Sequence, residues 1–152
     1  MRVFVYGTLM EGHANHRVLA DLGATKVCDA TTAEPRTLVD LGPYPALLAC
    51  DAERDAKASR VHGEVYELAE EAIAELDAFE GCPDLYVRER IALEEGDAFT
   101  YVLARDAPRH ARAVDSGRYD GRGRILIENA REAADALDND ALNDDVSPSS
   151  PR

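Results

Sequence analysis

The stretch EEAIAELDAFEGCPDLYVRERIALEEGDAFTYVL, residues Glu70–Leu103, decides the fold class. Its first part, Glu70–Glu80, is rich in helix formers: Glu70, Glu71, Ala72, Ala74 and Glu75. The glutamates fall in the opening turns, where the helix dipole favours negative charge. Gly81 and Pro83 then stop the helix. After them the period changes. In Tyr86–Leu93 the apolar Val87, Ile91 and Leu93 alternate with Tyr86, Arg88 and Arg90, the two-residue repeat of a strand. Glu95-Gly96-Asp97 reads as a hairpin turn into a second strand, Phe99–Ala104. A helix followed by a hairpin predicts an α+β protein with a mixed, mostly antiparallel sheet that is open or curled into a barrel.

Outward from this stretch the pattern continues. Arg2–Tyr6 is a β-prone run halted by Gly7, and Val18, Leu19 and Leu22 mark a short helix over Asn15–Leu22. Thr25–Ala49 reads as strands broken by turns, Gly42-Pro43-Tyr44-Pro45 being the strongest turn. Asp51–Arg60 is charged and reads as a solvated loop. Val61–Leu68 is a strand with Val61, Gly63 and Val65 on one face. Beyond Ala104 the pattern weakens. A turn-rich Tyr119–Arg124 precedes a last helix within Ile125–Leu142, and Asn143–Arg152, with Ser147-Pro148-Ser149-Ser150-Pro151, reads as a disordered tail. The expected organisation is one domain over residues 1–142 and a tail over 143–152, a size suited to a single core.

Composition narrows the function classes. Thirty Asp and Glu stand against 17 Lys and Arg, a formal charge of −13. Such a surface repels nucleic-acid phosphates, so no nucleic-acid partner is expected. Lys26 and Lys57 are the lysines, and an acidic, lysine-poor surface predicts a protein that works in high salt, where screening relieves self-repulsion. No window holds the ~18 apolar residues of a membrane span, and Met1-Arg2-Val3-Phe4-Val5 lacks a leader pattern, so a cytoplasmic location is expected. Cys28, Cys50 and Cys82 are too few for a disulfide framework and read as buried free thiols.

Two places carry candidate chemistry. Glu80 follows Ile73 by seven residues, nearly two helical turns, which puts a carboxylate on the apolar face with Leu76. Burial and the negative end of the helix dipole both disfavour its charged form, and a carboxylate with a raised pKa is a better base near neutral pH. Periodicity alone leaves open a helix-end glutamate turned to solvent. The second place is Tyr6-Gly7-Thr8-Leu9, where a strand runs into glycine and then a hydroxyl. Glycine allows unusual backbone angles and close approach of a ligand, and successive free N–H groups form an anion-binding nest. An ordinary strand exit reads the same way. His13 and His16 are spaced to meet on a helix but lack the companion ligands of a metal motif, so neither metal nor cofactor is expected. There is no phosphate-binding loop and no GxSxG elbow. Arg105, Arg109, Arg112, Arg118, Arg122 and Arg124 cluster late in the chain and read as a solvated face.

Taken together the motifs are recognisable. Val3-Phe4-Val5-Tyr6-Gly7-Thr8-Leu9, then Gly12 and Asn15-His16-Arg17-Val18-Leu19, resembles the N-terminal signature of the gamma-glutamylcyclotransferase-like family. Gly63-Glu64-Val65-Tyr66 resembles its central strand. Leu76-Asp77-Ala78-Phe79-Glu80-Gly81-Cys82-Pro83, with Leu85-Tyr86 and Arg88, resembles its catalytic segment. The blocks keep the family's order over roughly residues 2–104, and the branch of gamma-glutamylamine cyclotransferases with their plant avirulence-induced-gene-like relatives is the nearest in pattern. The resemblance implies a small barrel with flanking helices and release of 5-oxoproline from a small-molecule gamma-glutamyl amine or amide. It implies Glu80 as the catalytic acid/base and Tyr6, Gly7, Thr8 and Leu9 as the substrate loop. Tyr86 and, from the late Tyr119-Asp120 segment, Tyr119 are expected as pocket walls or hydrogen-bond donors. Two other classes compete: a non-catalytic module that binds a gamma-glutamyl-like ligand, and an amide hydrolase or acyltransferase on the same fold. The resemblance leaves the oligomeric state undetermined.

Overall fold

The computed structural model describes residues 1–49 and 58–121. Within them the order is β1 (Arg2–Val5), α1 (His16–Asp21), β2 (Thr25–Thr31), β3 (Leu38–Asp40), β4 (Pro45–Leu47), β5 (His62–Glu67), α2 (Glu70–Phe79), β6 (Tyr86–Ile91), β7 (Ala98–Leu103) and β8 (Arg112–Ala113). The protein is α+β, with a mixed and mostly antiparallel sheet ordered β2-β5-β1-β7-β4-β3-β8 and β6 on the other edge of β7.

The topology follows from which strands are apolar on both faces. β1 has Val3, Phe4 and Val5 all buried, and it sits centrally, antiparallel to β5 and parallel to β7. Two-sided burial is what a strand covered on both faces requires. β7 carries the antiparallel β6 along one edge, from Tyr86↔Leu103 to Ile91↔Ala98. Its other edge is shared by β1, at Val3↔Phe99, and β4, at Leu47↔Val102. The sheet curls until the chain after β6 meets the end of β2: Ala33 N–H donates to Ala92 O at 3.0 Å and Glu94 N–H to Thr31 O at 2.9 Å. This bridge, Thr32↔Leu93, joins β2-β5-β1-β7-β6 into a barrel.

Strand alternation then divides the core in two. Phe4, Val65, Ile91, Leu93, Ala98 and Val102 face one cluster inside the barrel. Val3, Val5, Tyr66, Leu68, Tyr101 and Leu103 face outward, where Leu19 of α1 and Ile73 and Leu76 of α2 cover them. Each such fully buried side chain contributes roughly 1.5–3 kcal/mol of transfer free energy.

The hairpin expected after the long helix is present, with its second strand one residue earlier, Ala98–Leu103. β8 carried no signal: Arg112 and Ala113 are both exposed, and they become a strand by pairing with Asp40 and Val39. Cys28 and Cys82 are free but half-buried, a correction to the expectation of buried thiols. Cys50, residues 51–57 of the expected loop, Arg122, Arg124, the helix within Ile125–Leu142 and the tail over 143–152 lie outside the described residues. Among the described residues no helix is long and apolar enough to cross a membrane.

Candidate active site

A pocket opens where β1 leaves the barrel beneath the end of α2. Glu80 and the whole Tyr6–Leu9 loop line it, with Tyr86, Tyr101 and Asn15. Six of the seven expected site residues therefore meet in one place. The seventh does not: Tyr119 packs with the barrel core and against the His13 ring at 5.7 Å, and lines a separate cleft with His62, Glu64 and Glu95.

The end of α2 places Glu80. Gly81 has φ 71, a left-handed angle that costs glycine nothing. It lets Gly81 N–H donate to Ala78 O at 3.1 Å and Cys82 N–H to Asp77 O at 3.0 Å. This pair of bonds is the Schellman ending of a helix. Glu80 is thus the last residue before the chain turns away. The Ile73–Leu76 face that buries α2 turns Glu80 toward the pocket, which it lines half-buried. Burial, and second the Asp77 carboxylate, push Glu80 from the ordinary carboxylate range up to about 8.

On the opposite wall the backbone turns. Gly7 is not left-handed; its lack of a side chain serves packing instead, since an added Cβ would lie 2.5 Å from Pro45 Cγ. The close approach foreseen for a ligand is made by Pro45. Among the described residues the N–H groups of Gly7, Thr8 and Leu9 donate to no protein acceptor, while Gly7 O and Thr8 O accept from Met10 and Asn15. Gly7 and Leu9 are buried, and buried N–H groups without a partner are costly unless a ligand or water satisfies them.

The tyrosine hydroxyls are committed elsewhere. Tyr6 Oη donates to Tyr101 O at 2.6 Å and accepts from Leu47 N–H at 2.9 Å. Tyr86 Oη donates to Pro45 O at 2.8 Å. Burial raises both phenols, so they stay neutral. These rings are walls, and their hydroxyls hold the loops that shape the pocket. Cys82, beside the site, is pushed up to about 11 by burial, and then by Asp77 and Glu80, which suppresses thiolate chemistry.

A family model described as gamma-glutamyl cyclotransferase, AIG2-like, matches residues 3–121. The chain belongs to this family of enzymes. The gamma-glutamylaminecyclotransferase of Bos taurus is 40% identical over 142 residues, covering 86% of this chain and 82% of that protein. That of Homo sapiens is 36% identical and covers 80% of this chain and 90% of its own length. An AIG2-like protein from Mus musculus, 30% identical, superposes with a TM-score of 0.70 over 84% of this chain and 97% of that one.

The structure also gives places in the site to residues that sequence reasoning had assigned no role there. Tyr44 and Pro45 were legible only as a turn, yet both line the pocket. Tyr101 donates to Asp77 Oδ1 at 2.7 Å, and Arg88 Nη1 lies 3.6 Å from Asp77 Oδ2. Asn15 is buried, donates through Nδ2 to Thr8 Oγ1 at 3.1 Å, and so braces the loop. His13 and His16 separate: His16 Nδ1 meets Leu9 O at 2.9 Å, while His13 stacks on Tyr119. Arg105, Arg109, Arg112 and Arg118 are exposed.

Proposed function

We propose that this cyclotransferase releases 5-oxoproline from gamma-glutamyl amines or amides, with Glu80 as the acid/base. The observation that carries this reading is one pocket holding a carboxyl raised to about 8 and a run of N–H groups, at Gly7, Thr8 and Leu9, with no protein acceptor among the described residues. The substrate is a small molecule with a cationic α-amine, an α-carboxylate and a γ-carbonyl.

Glu80, as carboxylate, takes a proton from the substrate's α-ammonium. The freed amine attacks the γ-carbon of the same molecule and closes a five-membered ring. Nucleophile and electrophile are already joined, so much of the entropic cost of meeting is met within the substrate. The oxygen that gains charge, or the α-carboxylate beside it, is received by the N–H groups of Gly7–Leu9. As the carbonyl reforms, Glu80 gives its proton to the departing nitrogen, which leaves as an amine, and the ring nitrogen sheds its second proton through the freed carboxylate to that amine or to water. A group near pH 8 suits both transfers, because it gives and takes protons at comparable cost around neutrality. Both reacting groups come with the substrate, so the chemistry calls for no metal and no organic cofactor.

The test is mass-spectrometric detection of 5-oxoproline from a panel of gamma-glutamyl amines, amides and peptides, at low and molar KCl. Native protein and Glu80→Gln are compared. The expected result is 5-oxoproline from the native protein and a loss of orders of magnitude in the variant. Free glutamate in place of 5-oxoproline would instead identify a hydrolase. No product under any condition would leave a binding module.

A further inference from the structure

The last turn of α2 is built against helix stability. Asp77 and Glu80 lie three residues apart, neighbours on a helix surface, and the last turn holds no basic residue. Like charges at this spacing repel, and both carboxyls sit at the negative end of the helix dipole. A helix serving the fold alone gains from Lys or Arg here. Instead the strands hold Asp77 in place: Tyr101 of β7 donates to Oδ1 at 2.7 Å, and Arg88 of β6 lies 3.6 Å from Oδ2. Asp77 does not line the pocket, whereas Tyr101 and Glu80 do.

Among the described residues the other titratable groups that couple directly to Glu80 are neutral. Tyr6 just after β1, Tyr86 from β6, Tyr101 from β7 and Cys82 from the turn after α2 all couple to it, and burial raises each of them. Arg88 is engaged with Asp77, and Arg36 acts on Tyr6. Among the described residues Asp77 is thus the neighbour whose charge bears on Glu80.

We propose that Asp77 is a positioning residue for the reaction above: its carboxylate, fixed by Tyr101 and Arg88 one turn before Glu80, strengthens Glu80 as a proton acceptor beyond what burial alone achieves. The inference rests on Glu80 being the acid/base of that reaction. It assigns Asp77 no contact with substrate.

The experiment titrates the Glu80 carboxyl by carbon-13 NMR in protein with labelled glutamate, the signal being assigned by its loss in Glu80→Gln. The kcat/KM profile for 5-oxoproline formation is measured beside it, since that profile reports the free enzyme. Asp77→Asn keeps an oxygen for the Tyr101 hydroxyl and removes the charge. Asp77→Ser is a second neutral variant of smaller size, and Asp77→Glu restores the charge. In both neutral variants the Glu80 midpoint and the acid limb of the profile are expected to move down together by about one pH unit, with Asp77→Glu moving them back. A midpoint unmoved in the neutral variants, while the native protein still forms 5-oxoproline, overturns the role of Asp77 alone. A native protein that forms no 5-oxoproline overturns the reaction and this role with it. A purely structural Asp77 would lower the melting temperature and leave the midpoint where it was.

Discussion

The Tyr6 hydroxyl stands between Tyr101 O, to which it donates at 2.6 Å, and Leu47 N–H, from which it accepts at 2.9 Å. One side chain just after β1 thereby ties β7 to β4, which pairs along its edge. Both partners are buried backbone groups. Tyr6→Phe keeps the ring against the pocket and orphans Tyr101 O and Leu47 N. We expect a loss of about 1–3 kcal/mol in urea unfolding, the cost of leaving buried polar groups unmade. We also expect a fall in kcat/KM of less than tenfold, because Tyr6 lines the pocket while its hydroxyl is engaged with Tyr101 O and Leu47 N–H. A collapse in activity with unchanged stability would place the hydroxyl in the chemistry instead.

Gly7 and Pro45 form a second coupled pair. A Cβ on Gly7 would stand 2.5 Å from Pro45 Cγ and 2.9 Å from its Cδ, within the wall that also receives the Tyr86 hydroxyl at Pro45 O. Gly7→Ala forces the two loops apart, and overpacking of this kind costs typically about 1–3 kcal/mol. KM for a gamma-glutamyl amine should rise, because the Gly7–Leu9 N–H groups move with the loop. Pro45→Ala removes Cγ and Cδ, so the double variant should recover part of both losses. Strict additivity of the two substitutions in thermal melts and in KM would break the proposed coupling.

Glu80 gives the fold a pH dependence of definite sign. Its folded value, about 8, lies above the ordinary 4.5. Between these the folded protein holds a proton that the unfolded chain has released. The stabilisation is therefore whole below about pH 4.5 and is lost as pH rises through 8. Glu80→Gln cannot ionise and lacks this slope. Its stability relative to native protein should improve by about 2 kcal/mol between pH 4 and pH 9, a figure reduced because Glu80 opens to pocket water. Chemical denaturation at the two pH values reads the difference directly. Equal slopes for the two proteins would mean that Glu80 titrates normally.

How far this was legible beforehand depends on range. The β6–β7 hairpin and α2 are local, and a two-residue alternation and a glycine-proline stop announce them in sequence. Glu80 was legible only in part: its spacing to Ile73 allowed the buried face without excluding an outward turn, and the motif resemblance, not the spacing, singled it out. Barrel closure was not legible, because Thr32 and Leu93 meet across a span that no periodicity encodes. Neither were the parallel contacts of β1 and β4 with β7. At the site, the residue types of the Tyr6–Leu9 loop were visible, but the reason for Gly7 was not. It lies in Pro45, far along the chain, where Gly42-Pro43-Tyr44-Pro45 signals only a turn. Tyr101 carried the alternation of a strand, and nothing local tells that its hydroxyl ends on Asp77.

The charge excess makes the last prediction. With 30 acidic against 17 basic side chains, self-repulsion opposes the compact state at low ionic strength. Lys26 offsets it locally, lying 2.9 Å from Glu11, 3.0 Å from Asp29 and 3.5 Å from Glu64. Those hydrogen bonds, led by Glu11, raise the lysine above its ordinary value. In molar salt the screening length falls to about 3 Å, so both the general repulsion and this local relief shrink. The native melting temperature should rise from low salt to molar KCl. Lys26→Gln should melt below native protein at low salt, because three carboxylates then face one another, and the gap should close as KCl is added. A native melting temperature indifferent to KCl would show that the acidic surface is no adaptation to salt. A gap that persisted in molar KCl would show that Lys26 acts through packing of its stem, not through its charge.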